Sequence, residues 1–209
     1  QAMPRQTMRD ALLSGQQSMP TPAEVPALLD RLPAELVEAP PRRSWADRAG
    51  HYAAVIAGVL PGHADAVRRL AEAITAGAGE GPVVPVHGDF YENQLQVTRG
   101  RITGLLDLDT AGGGERLDDL ACLLGHLSVL AQIHRRRATA INRLGSRYLA
   151  AFDATVDPVW LRYRTAAVVL SLATGPHRVQ QPGWQAVTDR RLRLAHQWAE
   201  AAESYRRRR

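Results

Sequence analysis

His87-Gly88-Asp89-Phe90-Tyr91-Glu92-Asn93-Gln94 follows a short β-prone run, Val83-Val84-Pro85-Val86, and precedes two more, Leu95-Gln96-Val97 and Ile102-Thr103-Gly104-Leu105-Leu106. Thr98-Arg99-Gly100-Arg101 between the last two reads as a hairpin turn. Pro85 argues against a long central strand in the first run. Asp89 then sits in a loop just after a strand, Gln94 at the start of a tight hairpin, and Asp107 at the end of its second strand. Such a hairpin brings Gln94 and Asp107 together at one end. A carboxylate and an amide oxygen are hard donors suited to Mg²⁺, which takes one or two carboxylates plus substrate phosphates. Asp89 is a second acid nearby, free to accept a proton from a hydroxyl. The arrangement suits phosphoryl transfer, where positioning and charge neutralisation supply most of the catalysis.

Outward from this segment the chain is helical. Upstream, Thr21-Pro22-Ala23-Glu24 has the pattern of a capping box, with Val25, Leu28, Leu29 and Leu32 at helical spacing behind it. Ser44-Trp45-Ala46-Asp47 opens a second helix towards Leu60, and a third spans His63 to Thr75, ended by Gly77 and Gly79. Downstream, Gly112-Gly113-Gly114 reads as a loop. Four helices follow, near Leu117–Leu130, Ile133–Phe152, Pro158–Ala173 and Trp184–Arg206, with breakers at Asp157-Pro158, Gly175-Pro176 and Pro182-Gly183. The chain of 209 residues is 45% hydrophobic and 22% charged, enough to bury a core. No run approaches a membrane span. The single cysteine, Cys122, excludes an intramolecular disulfide and a zinc cluster built on cysteines, and a reducing, cytoplasmic compartment is the simplest expectation. All 26 basic residues are arginine, and the net charge is +5. The arginines are scattered, without the interleaved aromatics that base stacking uses, so nucleic acid is not expected as a partner.

The segment His87-Gly88-Asp89, four residues, Gln94, then Leu106-Asp107-Leu108-Asp109, a glycine stretch and Asp119-Leu120-Ala121 resembles the aminoglycoside phosphotransferase/choline kinase family. The resemblance is sharp over residues 83–125 and loose over 20–200. It implies a protein-kinase-like fold and ATP-dependent, Mg²⁺-assisted phosphorylation of a hydroxyl on a small molecule. It implies that Asp89 is the catalytic base, that Asp107 is the main Mg²⁺ ligand (the counterpart of the kinase DFG aspartate), and that Gln94 makes a second metal contact. By the same resemblance His87 supports the catalytic loop, Asp119 ties down the glycine loop at a helix start, and Asp109 either braces the loop or touches metal. The 175–184 stretch, with His177 and Trp184, is a candidate for substrate contact, with plain packing of Trp184 as the rival.

The match has departures. Gln94 stands where the family has Asn; its amide still coordinates but is one methylene longer, and Asn93 serves instead if the loop is shifted by one residue. Leu108 replaces an aromatic, Arg116 a proline and Phe90-Tyr91 a Leu-His pair. The chain has no lysine, and its 86 residues before His87 hold no glycine-rich nucleotide loop. Arginine does not simply replace a lysine that contacts phosphates as a compact point charge. The expectation is therefore an α+β, mostly α, kinase-like C-terminal lobe over residues 1–209: a helical lead-in (1–82), the catalytic and metal-binding segment (83–121) and C-terminal helices (122–209). The rival is a truncated or degenerate lobe that binds rather than catalyses, self-associating through an exposed interlobe face. Glu92 is expected to be solvated, His126, His134 and His196 to be ordinary helix residues without a partner at metal spacing, and Cys122 to be small core filling. The last four helices carry more Arg than Asp/Glu, which disfavours a polycationic substrate.

Overall fold

A computed structural model describes residues 6–38 and 42–208. In chain order the elements are β1 (Gln6–Thr7), α1 (Met8–Ser14), α2 (Glu24–Leu29), α3 (Ala49–Val59), α4 (Ala64–Gly77), β2 (Val83–Val86), β3 (Leu95–Thr98), β4 (Arg101–Leu105), β5 (Gly112–Glu115), α5 (Arg116–Ile133), α6 (Ala138–Phe152), α7 (Pro158–Arg178) and α8 (Trp184–Arg206). Short 3₁₀ turns join several of them. The chain divides into two compact units, each assembled from two separate stretches of sequence. One takes the chain up to Arg42 together with Pro82–Thr155; the other takes Arg43–Gly81 together with Val156–Arg209.

The first unit holds all five strands found among the described residues. β3 and β4 form the expected hairpin, with Val97 opposite Ile102 and Thr98 opposite Arg101. Two features differ from the sequence expectation. β1 adds a third strand, antiparallel to β3, and leads into α1 through a capping box in which Thr7 and Asp10 satisfy each other's backbone donors. The glycine stretch is not a loop: Gly112–Glu115 is a strand paired antiparallel with β2, Val86 opposite Gly112 and Pro85 opposite Gly113. An alanine at Gly114 would put its Cβ 2.7 Å from the Val86 side chain, so a glycine stands where the ribbon is pressed tightest. The Leu120, Leu123, Leu124, Leu127 stripe of α5 is buried as expected, together with Phe90, Leu95, Val97, Ile141, Leu144 and Phe152. Glu24 ties α2 to the hairpin: one carboxylate oxygen accepts from the Thr21 amide and hydroxyl, the other from the Ile102 amide and the Arg101 guanidinium.

In the second unit α7 is central. Its residues Leu161 to Leu170 are all buried, Arg162 and Arg164 included. The helix runs through Gly175-Pro176 to Arg178, where the sequence suggested a break. Pro176 cannot donate to the Leu172 carbonyl. Arg191 from α8 donates to that carbonyl instead, at 2.5 Å, and the Thr188 hydroxyl donates to Ala173, at 3.0 Å. Side chains of the next helix thus satisfy backbone acceptors near the proline, and α7 continues. Among the described residues no helix is long and apolar enough to cross a membrane.

Candidate active site

Asp89 is presented by a turn that backbone geometry and five hydrogen bonds hold in place. β2 ends at Val86, and Gly88 follows with φ +82°. A Cβ there would lie 2.6 Å from the Thr110 carbonyl oxygen, so both the left-handed conformation and the close approach require glycine. The Asp119 carboxylate, from the first turn of α5, accepts the amides of His87 and Gly88, both at 2.8 Å. The Thr110 hydroxyl donates to the His87 carbonyl at 2.9 Å. The His87 ring bridges the two halves of the site: Nε2 donates to the Leu106 carbonyl at 2.8 Å, and Nδ1 accepts the Asp89 amide at 3.3 Å. Asp119 therefore braces the His87–Gly88 turn; the glycine stretch it was expected to hold is anchored by strand pairing.

The hairpin brings Gln94 beside Asp107. The Gln94 carbonyl accepts the Leu106 amide at 2.8 Å, which closes the open end of the hairpin. The Gln94 amide then donates to Asp107 Oδ2 at 3.2 Å. Asp107 has φ +55°, a left-handed conformation that a non-glycine residue adopts only when its surroundings impose it. Gln94 is buried, whereas Asp107 and Asp109 are exposed. Asp109 lies in the 3₁₀ turn Leu108–Thr110. Arg42 adds a clamp from upstream: its amide donates to Gly113 at 2.9 Å and its guanidinium to the Thr110 carbonyl.

Burial raises the Asp89 carboxyl above the usual aspartate range, and the neighbouring charge of Asp107 adds to the rise. His87, Arg42 and the Cys122 thiol pull the other way. Asp119 is also raised by burial, offset by the two amides it accepts. Asp89, half-buried and raised, is the group best fitted to take a proton; Asp107, exposed beside an amide, is the one fitted to hold a hard cation.

Two expectations for the neighbourhood fail. Glu92 is not solvated: it is fully buried, and Arg9 of α1 places Nη2 at 2.7 Å and Nε at 2.8 Å from its Oε1, while Oε2 has no hydrogen-bond partner. Burial lifts its carboxyl despite that guanidinium. His126 is not without partners at metal spacing: ligand atoms of Asp89, Cys122 and His126 all lie within 4.8 Å of one another. Tyr91 stacks on His126, with centroids 4.2 Å apart, and Arg9 lies over the Tyr91 ring. Thr7-x-x-Asp10 is the sequence signal for α1, and Cys122-x3-His126 the signal for a shared helix face. Cys122 is buried as expected. His177 and Trp184 belong to the second unit, where their rings meet edge to face at 4.7 Å. His177 lies in the last turn of α7, and Trp184 begins α8.

Comparison with known proteins gives one family. The sequence model described as "Phosphotransferase enzyme family" matches residues 11–164. No curated protein sequence matches. Among solved structures, the chain resembles a choline/ethanolamine kinase family protein from Mesorhizobium loti, with a TM-score of 0.56 and 20% identity over 94% of this chain and 66% of that one. It also resembles glucosamine kinase, with a TM-score of 0.50 and 19% identity over 89% of this chain and 49% of that one. A glucosamine kinase in complex with glucosamine, ADP and inorganic phosphate gives a TM-score of 0.51 and 18% identity, over 93% of this chain and 52% of that one. At these identities the likeness is one of fold. The chain spans from about half to just under two thirds of the length of these structures.

Proposed function

Because this chain belongs to the phosphotransferase enzyme family, we propose that it carries the base and metal site of a kinase that moves the γ-phosphoryl group of ATP to a hydroxyl of a small molecule. The observation that supports this most is the His87 ring, which hydrogen-bonds both the Asp89 amide and the carbonyl before Asp107. One side chain thus sets the spacing between proton acceptor and metal ligand.

In this reading Asp89 accepts the proton of the substrate hydroxyl. The freed oxygen forms a bond to the γ-phosphorus while the bond from that phosphorus to the bridging oxygen breaks, and ADP leaves with the electron pair. Asp89 needs no high basicity, because the proton moves as the transition state forms; it must be ionised and aimed. The Asp119, Thr110 and His87 hydrogen bonds supply the aim. Mg²⁺ fits the donors present, an exposed carboxylate and a neutral amide, so Asp107 and Gln94 would hold it; when bound it neutralises phosphate charge. Asp109, in the 3₁₀ turn after Asp107, would either brace that turn or touch the metal. A contribution of His177 and Trp184 to the substrate pocket remains part of the proposal.

The structural neighbours are named for choline, ethanolamine and glucosamine, small hydroxyl compounds that carry an amine. The first panel to test is therefore amino alcohols and amino sugars, alongside neutral sugars. Transfer from labelled ATP is measured in the full-length protein with each compound. Asp89→Asn is expected to lower kcat by roughly 10²–10⁴-fold while leaving nucleotide affinity nearly unchanged. Comparable turnover in that variant would remove Asp89 from the mechanism. Absence of transfer to any compound, with the site intact, would favour the rival of a binding lobe.

A further inference from the structure

Cys122 and His126 are one turn apart on α5, so both side chains leave the same side of that helix. Asp89 meets them from the loop after β2, its Oδ1 3.9 Å from the Cys122 sulfur. One donor atom from each of the three lies within 4.8 Å of the other two. A thiol, an imidazole and a carboxylate form a mixed soft and borderline set. Mg²⁺ avoids such a set, and zinc-like cations prefer it. We propose that Asp89, Cys122 and His126 form a second cation site, for a zinc-type divalent ion, and that filling it removes Asp89 from reach of a substrate hydroxyl.

The geometry requires only a modest adjustment. Bonds of about 2.0–2.3 Å to a tetrahedral ion put donor atoms roughly 3.3–3.8 Å apart, so the trio must close by about 1 Å. Asp89 and His126 are half-buried, while Cys122 is in the core. A metal bond forms in the imidazole plane, so it does not compete with the Tyr91 stack on the ring face. Burial first, and then the negative charges of Asp89, Asp119, Glu92 and Asp118, push the Cys122 thiol up; the same charges favour a cation beside it, and the thiol proton must leave for that cation to bind. On binding, the sulfur–hydrogen bond is replaced by a sulfur–metal bond, and one proton goes to the buffer. Three protein donors leave a fourth position for water. The loss of turnover rests on the proposed role of Asp89; the binding itself does not.

Co²⁺ is the probe, titrated into the chain and followed by calorimetry and near-ultraviolet absorption. We expect one ion per chain, a thiolate-to-cobalt charge-transfer band and release of about one proton. Zn²⁺ should displace the Co²⁺ and excess Mg²⁺ should not. Cys122→Ala should abolish the band, and His126→Gln should weaken binding at least tenfold; Asp107→Asn should change neither. His126→Gln alters a half-buried position and keeps the test readable if the buried Cys122→Ala variant does not fold. No binding at micromolar Co²⁺, binding without the band, or unchanged binding in His126→Gln would overturn the proposal. None of these results bears on whether the chain supports phosphoryl transfer, which a separate assay reads.

Discussion

Asp89 has a raised carboxyl because two effects add: burial in the turn and the charge of Asp107. The charges that act on it can be altered one residue at a time. In ¹³C NMR of the aspartate carboxyls, Asp107→Asn should move the Asp89 midpoint down, since it removes a like charge. Arg42→Gln should move it up, since it removes a cation that favours the ionised form. Opposite shifts are the signature of a site tuned by its two neighbours; identical titrations in all three proteins would refute it. The sign carries to the rate. A base works deprotonated, so a raised value means that kcat/KM in the full-length protein should begin to fall at a higher pH than an ordinary aspartate would give. Residue types and spacing point to Gln94 and Asp107 meeting at one end of the hairpin, and they do. The environment of Glu92 was not readable, because its partner Arg9 lies 83 positions away and no local pattern announces an ion pair at that separation.

At the scale of elements, the hairpin and the helices were legible because turn chemistry and helical periodicity are local. What was missed depends on neighbours distant in sequence. β1 is only two residues long and exists because β3 offers an edge. The three glycines become a strand because β2 needs a partner with little side-chain bulk. The end of α4 is a further case. Gly79 has φ +60°, and a Cβ there would collide with Trp160. Above that turn the Arg164 guanidinium of α7, 1% exposed, donates to the carbonyls of Ala78 and Gly79 at 3.2 and 2.7 Å. A buried cation on the two carbonyls just past a helix C-terminus is favoured by the helix dipole but pays desolvation. Arg164→Met keeps most of the volume and leaves the carbonyls without that donor. The expected loss is about 2 kcal/mol in urea denaturation. A variant as stable as the parent would mean that desolvation of the guanidinium cancels its hydrogen bonds.

For the whole molecule, the family match and the absence of lysine point to one more measurement. Each unit is built from two stretches of sequence with one of the other unit's between them; the candidate site lies within Pro82–Thr155, and Arg42 reaches it from the earlier stretch. The base and metal ligand proposed above lie there, yet none of the 209 residues is a lysine able to contact nucleotide phosphates as a point charge. The net charge of +5, all from arginine, still attracts polyphosphate without specificity. We therefore expect MgATP to bind this chain with a Kd on the order of 1 mM, about −4 kcal/mol, by calorimetry at physiological salt. Two components should separate. The arginine attraction should fade as salt is raised and survive Asp107→Asn; the contribution of the metal site should need Mg²⁺ and disappear in that variant. Micromolar affinity that resists salt would mean that arginine side chains have assembled a phosphate clamp of their own, and the missing lysine would then cease to argue against nucleotide capture by these 209 residues.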